Sequence, residues 1–189
     1  MTRVAFPVLV DACVLIPMAK ADLLLRMAMA RQYRLLWSDE ILEEVERNLL
    51  VQLRLSPEAA RRRVTAMRRS FPDALVENYE GLIAAMTNDP KDRHVLAAAV
   101  YANAKLIVTD NVKDFPVLST HPYEIDVRST DDFLLDQLDL HPDSTLQIVR
   151  EILQDMKDPA MSFSEYTDSL YTRMNLPLFA SELQKLAEP

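Results

Sequence analysis

The sequence predicts an α/β fold: a mostly parallel sheet between helical layers, with a C-terminal helical extension. Three observations point there. Short apolar runs at Val4–Val10, Leu35–Trp37 and Lys105–Thr109 have the length of buried strands. Amphipathic helical segments and short connections separate them in a β-α-α-β-α-β-α order, the pattern of a parallel sheet. Strand signals stop near Leu138, and three proline-separated amphipathic segments fill the remainder.

Each element has a local reason. Val4–Val10 reads as a strand in which Pro7 is tolerable only near the start or where its missing N–H is not needed. Asp22–Tyr33 reads as a helix with a broad apolar face of Leu23, Leu24, Met27, Ala28 and Ala30. Leu35–Trp37 is a short buried run, with Trp37 and the tyrosines expected in the core or at interfaces. Ser38 then caps a helix whose first turn holds Asp39 and Glu40, matching the positive end of the macrodipole. Ile41, Val45 and Leu49 form its packing stripe. Ser56-Pro57 starts another helix, which Phe71-Pro72 closes. Asp89-Pro90 repeats the signal before the helix Asp92–Ala102. Lys105–Thr109 and Glu124–Val127 read as strands, Ser129–Leu138 as a short helix. Thr145–Met156, Ser162–Arg173 and Phe179–Leu186 are the C-terminal helices.

A chain of 189 residues with 49% apolar content can bury a core. One domain plus an appendage is expected, divided as 1–138 and 139–189. The single cysteine, Cys13, excludes an internal disulfide and suits a reducing compartment. No stretch approaches the roughly 18 uncharged apolar residues of a membrane span. Asp11 interrupts the only apolar run of the amino terminus, so no signal peptide is expected. The expectation is a soluble cytoplasmic protein without membrane contact. Gly81 is the sole glycine, which excludes glycine-rich phosphate loops.

Net charge is −8, unevenly spread. Residues 1–70 carry 12 Lys+Arg against 8 Asp+Glu, a balance of +4, and residues 71–189 carry 9 against 21, a balance of −12. An acidic protein of this kind can still hold RNA on a local basic stripe.

Four acids stand where apolar segments run out: Asp11, Asp92, Asp110 and Asp114. Residues just past the carboxyl ends of parallel strands line the ligand crevice of an open α/β sheet. Carboxylates gathered there repel unless a hard cation such as Mg²⁺ or Mn²⁺ neutralises them. Singly, Asp92 also reads as a first-turn helix acid, and Asp110 and Asp114 as turn residues. Asp11 is harder to dismiss, because an unpaired buried carboxylate costs several kcal/mol. Glu40, Glu44 and Asn48 form a polar stripe beside the apolar one, and Glu44 reads as the member that faces a metal. Glu43, Glu46 and Arg47 read as solvated.

With these pieces the chain resembles the PIN-domain ribonucleases, and among them the VapC-type toxins of bacterial toxin–antitoxin pairs. The matching segments are VLVDACVLIP at 8–17, SDEILEEVERNL at 38–49, NDPKDRHVLAAAV at 88–100 and IVTDNVKDFP at 107–116, in the family's order and spacing. The resemblance implies a PIN-like fold and a Mg²⁺- or Mn²⁺-dependent endoribonuclease. It implies an RNA substrate and a cognate antitoxin protein as partners, with a homodimer as an allowed assembly. Asp11, Glu44 and Asp92 match the family's three acids, with Asp11 and Asp92 as principal metal ligands. Glu44 and Asp110 complete the implied metal set, Asp114 joins the catalytic acids, and the final polar position falls on Asp110, Asn111 or Asp114. Cys13 stands where the family usually carries Asn or Ser, so a hydrogen bond near the metal is expected to be lost.

One ion can lower the pKa of a water and polarise the phosphoryl group, and a second, about 4 Å away, can stabilise the leaving 3′-oxygen. No histidine is required. His121 and His141 are poorly placed, and His94 reads as a helix surface residue. Arg61, Arg62, Arg68 and Arg69 share one helix face. They read as a solvated surface, a phosphate-tracking ridge, or a contact for an acidic antitoxin tail.

Rival enzymes fit less well. A dehalogenase-type phosphatase wants a second acid where Cys13 stands, and a phospho-acceptor domain wants paired acids near Asp11. A thiol phosphatase on Cys13 lacks its arginine and its glycine loop. The alternative from another class is a catalytically weak PIN-like RNA- or protein-binding module.

Overall fold

The computed structural model describes residues 6–157 and 160–187. Val4 and Ala5, where the first strand was expected to begin, lie outside the described residues. Five strands form one sheet: β1 (Pro7–Val10), β2 (Arg34–Ser38), β3 (Leu75–Val76), β4 (Leu106–Val108) and β5 (Asp126–Arg128). Their order is β3-β2-β1-β4-β5, and every pairing is parallel. β1 is central, with Leu9 opposite both Leu36 and Ile107. Val8, Leu9 and Val10 are fully buried, as a strand covered on both faces requires. Pro7 occupies the strand's first position, where its missing N–H breaks least. β3 leaves no trace in the sequence, because two residues are too few for any periodicity to register.

Among the described residues ten α-helices surround the sheet: α1 (Ala12–Leu15), α2 (Met18–Met29), α3 (Asp39–Val51), α4 (Pro57–Ser70), α5 (Arg93–Tyr101), α6 (Val117–Thr120), α7 (Thr130–Leu140), α8 (Pro142–Asp155), α9 (Phe163–Thr172) and α10 (Pro177–Ala187). Four start on a serine. The hydroxyls of Ser38, Ser56, Ser129 and Ser162 accept from the N–H groups of Ile41, Ala59, Asp132 and Glu165 at 3.1 to 3.2 Å. Ser162 and Glu165 complete a reciprocal capping box.

Several expected boundaries move. α2 starts at Met18 rather than Asp22, directly after Pro17, and stops at Met29 rather than Tyr33. Arg31 turns left-handed there (φ 60°), and the buried Tyr33 hydroxyl donates to Leu24 O at 2.8 Å. α5 runs from Arg93 to Tyr101, one residue inside each end of the expected Asp92–Ala102, and ahead of it the Asp89 carboxylate accepts from Lys91 N in a local turn. β5 starts at Asp126 because Glu124 is left-handed (φ 54°).

α5 packs on β1, β2 and β4, and its buried Ala97-Ala98-Ala99 run lets it sit close to them. Trp37 is buried and meets the Phe71 ring edge-on at 5.7 Å, a core role as expected. The C-terminal helices join through polar anchors. The buried Asp131 carboxylate on α7 accepts from Leu178 N and Phe179 N at 3.0 and 2.9 Å, capping α10 from another helix. α8 lies on α2, where Gln32 donates to Ser144 and Thr145. Leu138 and Asp139, flanking the expected division of the chain, both belong to α7. No helix among the described residues is long and apolar enough to cross a membrane.

Candidate active site

β1 is the switch point of the sheet. The chain continues from it to β2 on one side and returns to β4 on the other, so a crevice opens beyond the carboxyl ends of β1 and β4. Asp11 follows β1 and is only 3% exposed. Its backbone N–H extends the ladder by donating to Val108 O. One carboxylate oxygen accepts from Ala12 N at 2.6 Å, so Asp11 also starts the unforeseen helix α1. The other accepts from the Thr109 hydroxyl at 2.6 Å and from Cys13 Sγ at 3.2 Å.

Cys13 therefore does not lose the expected hydrogen bond. Its sulfur donates to Asp11, lies 3.4 Å from Thr109 Oγ1 and accepts from Asp110 N. Burial, then the Asp11 charge, pushes the thiol up to about 12, so it stays a protonated donor at neutral pH.

Asp92 occupies the N-cap position of α5, yet its side chain caps no backbone N–H. The first-turn reading of this residue fails. Burial and the charges of Asp11, Asp114, Asp89 and Glu44 push its carboxyl up to about 6. Glu44, half-buried on α3, is also raised: burial leads, His94 opposes, and Asp11 adds to the rise. Asp114 closes a 3₁₀ turn, and its backbone oxygen accepts from Asp89 N at 3.1 Å, tying the loop that carries Asp92.

Asp110 faces another way. Lys20 Nζ lies 2.5 Å from one carboxylate oxygen, and Thr130 donates its N–H and hydroxyl to the other at 3.2 and 2.7 Å. Burial works against its charge, yet Lys20 and Thr130 hold the carboxyl below the ordinary aspartate range. Of the three positions the sequence left open, Asp114 adds to the charge that raises Asp92, while Asp110 is held by Lys20 and Thr130. Asn111 is exposed, with its backbone N–H on Thr109 Oγ1. Among the described residues, Asp11, Asp92 and Asp114 have no ion-pair partner.

His94 is buried, not at the surface as its sequence position suggested. Its Nδ1 lies 3.7 Å from Glu40 Oε2 and its Nε2 3.7 Å from Glu44 Oε1. Sequence reasoning also missed Thr109 and Lys20. The legible hints were an imidazole directly before the apolar run Val95–Val100 of α5 and a lysine on an apolar helix face.

The arginine ridge divides. Arg68 pairs with Asp39, and Arg61 lies 3.8 Å from Glu46, so two of the four charges are engaged by α3, and Glu46 is not simply solvated. Arg63 donates to Leu15 O and Ile16 O, closing the end of α1. Arg62 and Arg69 are exposed and line a groove of about 610 Å³ on the outer face of α4.

Oxygen donors with no cationic partner suit a hard divalent ion. No three His, Cys, Asp or Glu side chains among the described residues converge tightly enough to enclose one.

Residues 7–113 match the PIN-domain family, and residues 130–185 match the VapC50 C-terminal domain. A curated protein of Mycobacterium tuberculosis (strain ATCC 25618 / H37Rv), named "Putative ribonuclease VapC50", is 40% identical over 122 residues, covering 65% of this chain and 71% of the relative. No solved structure matches the chain. The chain belongs to the PIN-domain family, in its VapC-type branch.

Proposed function

We propose that the chain is a metal-dependent endoribonuclease, the toxin of a toxin–antitoxin pair, and that it works on RNA phosphodiesters with Mg²⁺ or Mn²⁺. The observation that carries this reading is the acidic group at the sheet's switch point. The charges of Asp11, Asp114 and Glu44 act on Asp92 and that of Asp11 acts on Glu44, and neither Asp11 nor Asp92 has a cationic partner among the described residues. Such a group is self-repelling until a cation arrives.

In this reading Asp11 and Asp92 are the principal metal-holding residues, with Glu44 and Asp114 completing the acidic wall. When bound, the ion supplies a water of lowered pKa and polarises the scissile phosphodiester. The chain's own residues do the positioning. Thr109, Cys13 and the N–H of Ala12 fix both oxygens of Asp11. Asp110, locked to Lys20 and Thr130, holds the loop after β4 against α2 and α7 rather than joining the acidic wall. Arg62 and Arg69 are the candidate contacts for RNA phosphates or an acidic antitoxin segment. Arg61 and Arg68 contribute less, being partly neutralised by α3. The division into a catalytic unit (1–138) and a helical unit (139–189) belongs to the same proposal.

The binding-module alternative loses its motive, because the Cys13 thiol keeps a hydrogen bond to Asp11. The deciding experiment incubates structured RNAs with the protein in Mg²⁺ or Mn²⁺ and in EDTA. Cleavage that appears with the ion and vanishes in chelator is expected; cleavage unchanged in EDTA overturns the reading.

A further inference from the structure

We propose that His94 is a positioning residue that aims Glu44 into the acidic cleft, and that its contact with Glu40 makes that residue a further member of the site. This rests on the nuclease reading above.

His94 stands in the first turn of α5, and its side chain is 5% exposed. Neither ring nitrogen has a hydrogen-bond partner among the described residues. Burying polar nitrogens unpartnered is costly, and such groups in a folded protein call for an explanation. Here both nitrogens are aimed. Nδ1 faces Glu40 and Nε2 faces Glu44, each at 3.7 Å. The two glutamates lie one turn apart on α3, so their carboxylates bracket the two ends of the ring. A shift of less than about 1 Å on either side makes a normal hydrogen bond.

The surroundings agree. The Tyr79 hydroxyl donates at 3.4 Å to Glu40 Oε2, the same oxygen that faces His94 Nδ1. The remaining partner of Glu44, Arg47, is 3.3 Å away with a side chain 65% exposed, and an exposed pair of this kind gives little orientation. His94 is the buried contact. One helix, α5, thus places Asp92 directly at its start and Glu44 indirectly through His94 two residues later. Outer-sphere partners that orient metal-holding side chains commonly matter almost as much as the ligands themselves.

The test compares His94→Leu, His94→Gln and Glu40→Gln with the wild-type protein. Mn²⁺ affinity is measured by calorimetry on the RNA-free protein, kcat and KM on an RNA substrate, and Tm on each variant. His94→Leu is expected to weaken Mn²⁺ binding by about 10- to 100-fold and to lower kcat with little change in KM. Its Tm should hold or rise, because two unpartnered buried nitrogens are removed. His94→Gln, which keeps an N–H donor, should recover part of the affinity, and Glu40→Gln should show a smaller loss. Wild-type Mn²⁺ affinity in His94→Leu overturns the inference while leaving the nuclease reading intact. So do equal losses in His94→Leu and His94→Gln with falling Tm. A wild-type protein that takes up no Mn²⁺ and cleaves nothing overturns the nuclease reading itself.

Discussion

Asp92 and Asp110 lie at the mouth of the same sheet, both partly exposed, and their carboxyls are driven in opposite directions. Asp92 has acidic neighbours and no ion-pair partner among the described residues, and is pushed up to about 6. Asp110 has Lys20 and Thr130, and is held below the usual aspartate range. The residue type is shared, so it does not decide the role; Asp110 follows the apolar strand β4, whereas Asp92 precedes α5. What decides is the neighbour that each side chain meets. One acid stores repulsion that a ligand can relieve; the other uses its charge to fasten α2, the loop after β4 and α7 together.

The largest effects should come from breaking that contrast on the acidic side. Asp92→Asn and Asp11→Asn should each lower RNA cleavage by more than about 100-fold, above the range of outer-sphere changes, with the fold retained. Asp92→Asn should also change the pH dependence of the metal-free protein. The folded state binds the Asp92 proton more tightly than the unfolded chain, so this group favours folding at low pH. That contribution is lost as pH rises from about 3.8 through about 6. Removing the carboxylate should flatten this part of the Tm-against-pH curve. Asp11→Asn should stabilise less, because its carboxylate oxygens already accept from Ala12, Thr109 and Cys13. A Tm curve identical in Asp92→Asn and wild type would show that the crowding is absent.

The opposite behaviour is expected on the neutralised side. Asp110→Ala leaves Lys20, whose side chain is 7% exposed, without its counter-charge. The loss should be about 3 kcal/mol in urea unfolding, the cost of an orphaned buried charge, with the remaining folded protein still active. If Asp110→Ala instead stays stable and loses cleavage, Asp110 belongs with the catalytic acids and the contrast collapses.

The smallest effect concerns the ridge on α4. Arg62→Ala with Arg69→Ala should weaken RNA binding and reduce the slope of log affinity against log salt by roughly 0.7 for each phosphate no longer neutralised. Arg61→Ala with Arg68→Ala should change the slope less, since those side chains already pair with Glu46 and Asp39. If cleavage and salt slope survive the first pair while inhibition by the antitoxin fails, the face serves the protein partner.

How legible the molecule was depended on the range of the deciding interaction. Ser38, Ser56, Ser129 and Ser162 were readable as caps, or as residues at helix starts, because a cap bonds within three residues. The boundaries of α2 and β5 were not readable: they depend on left-handed turns at Arg31 and Glu124, in a chain that supplies no glycine there to mark them. β3 was invisible because it exists only by pairing with β2.

The site divides the same way. By itself the sequence determined that acids follow buried strands, that one glycine cannot build a phosphate loop, and that four segments fall in a PIN-like order. Periodicity and composition are local properties, and they suffice for those conclusions. Only the tertiary structure decided that Asp110 is locked to Lys20 and Thr130 while Asp114 adds to the charge around Asp92, that Cys13 completes the hydrogen bonds of Asp11, and that His94 lies buried between Glu40 and Glu44. Each of those outcomes depends on which distant side chain folds against the residue, and electrostatic energy at a few ångströms is set by that neighbour rather than by the chain's own pattern.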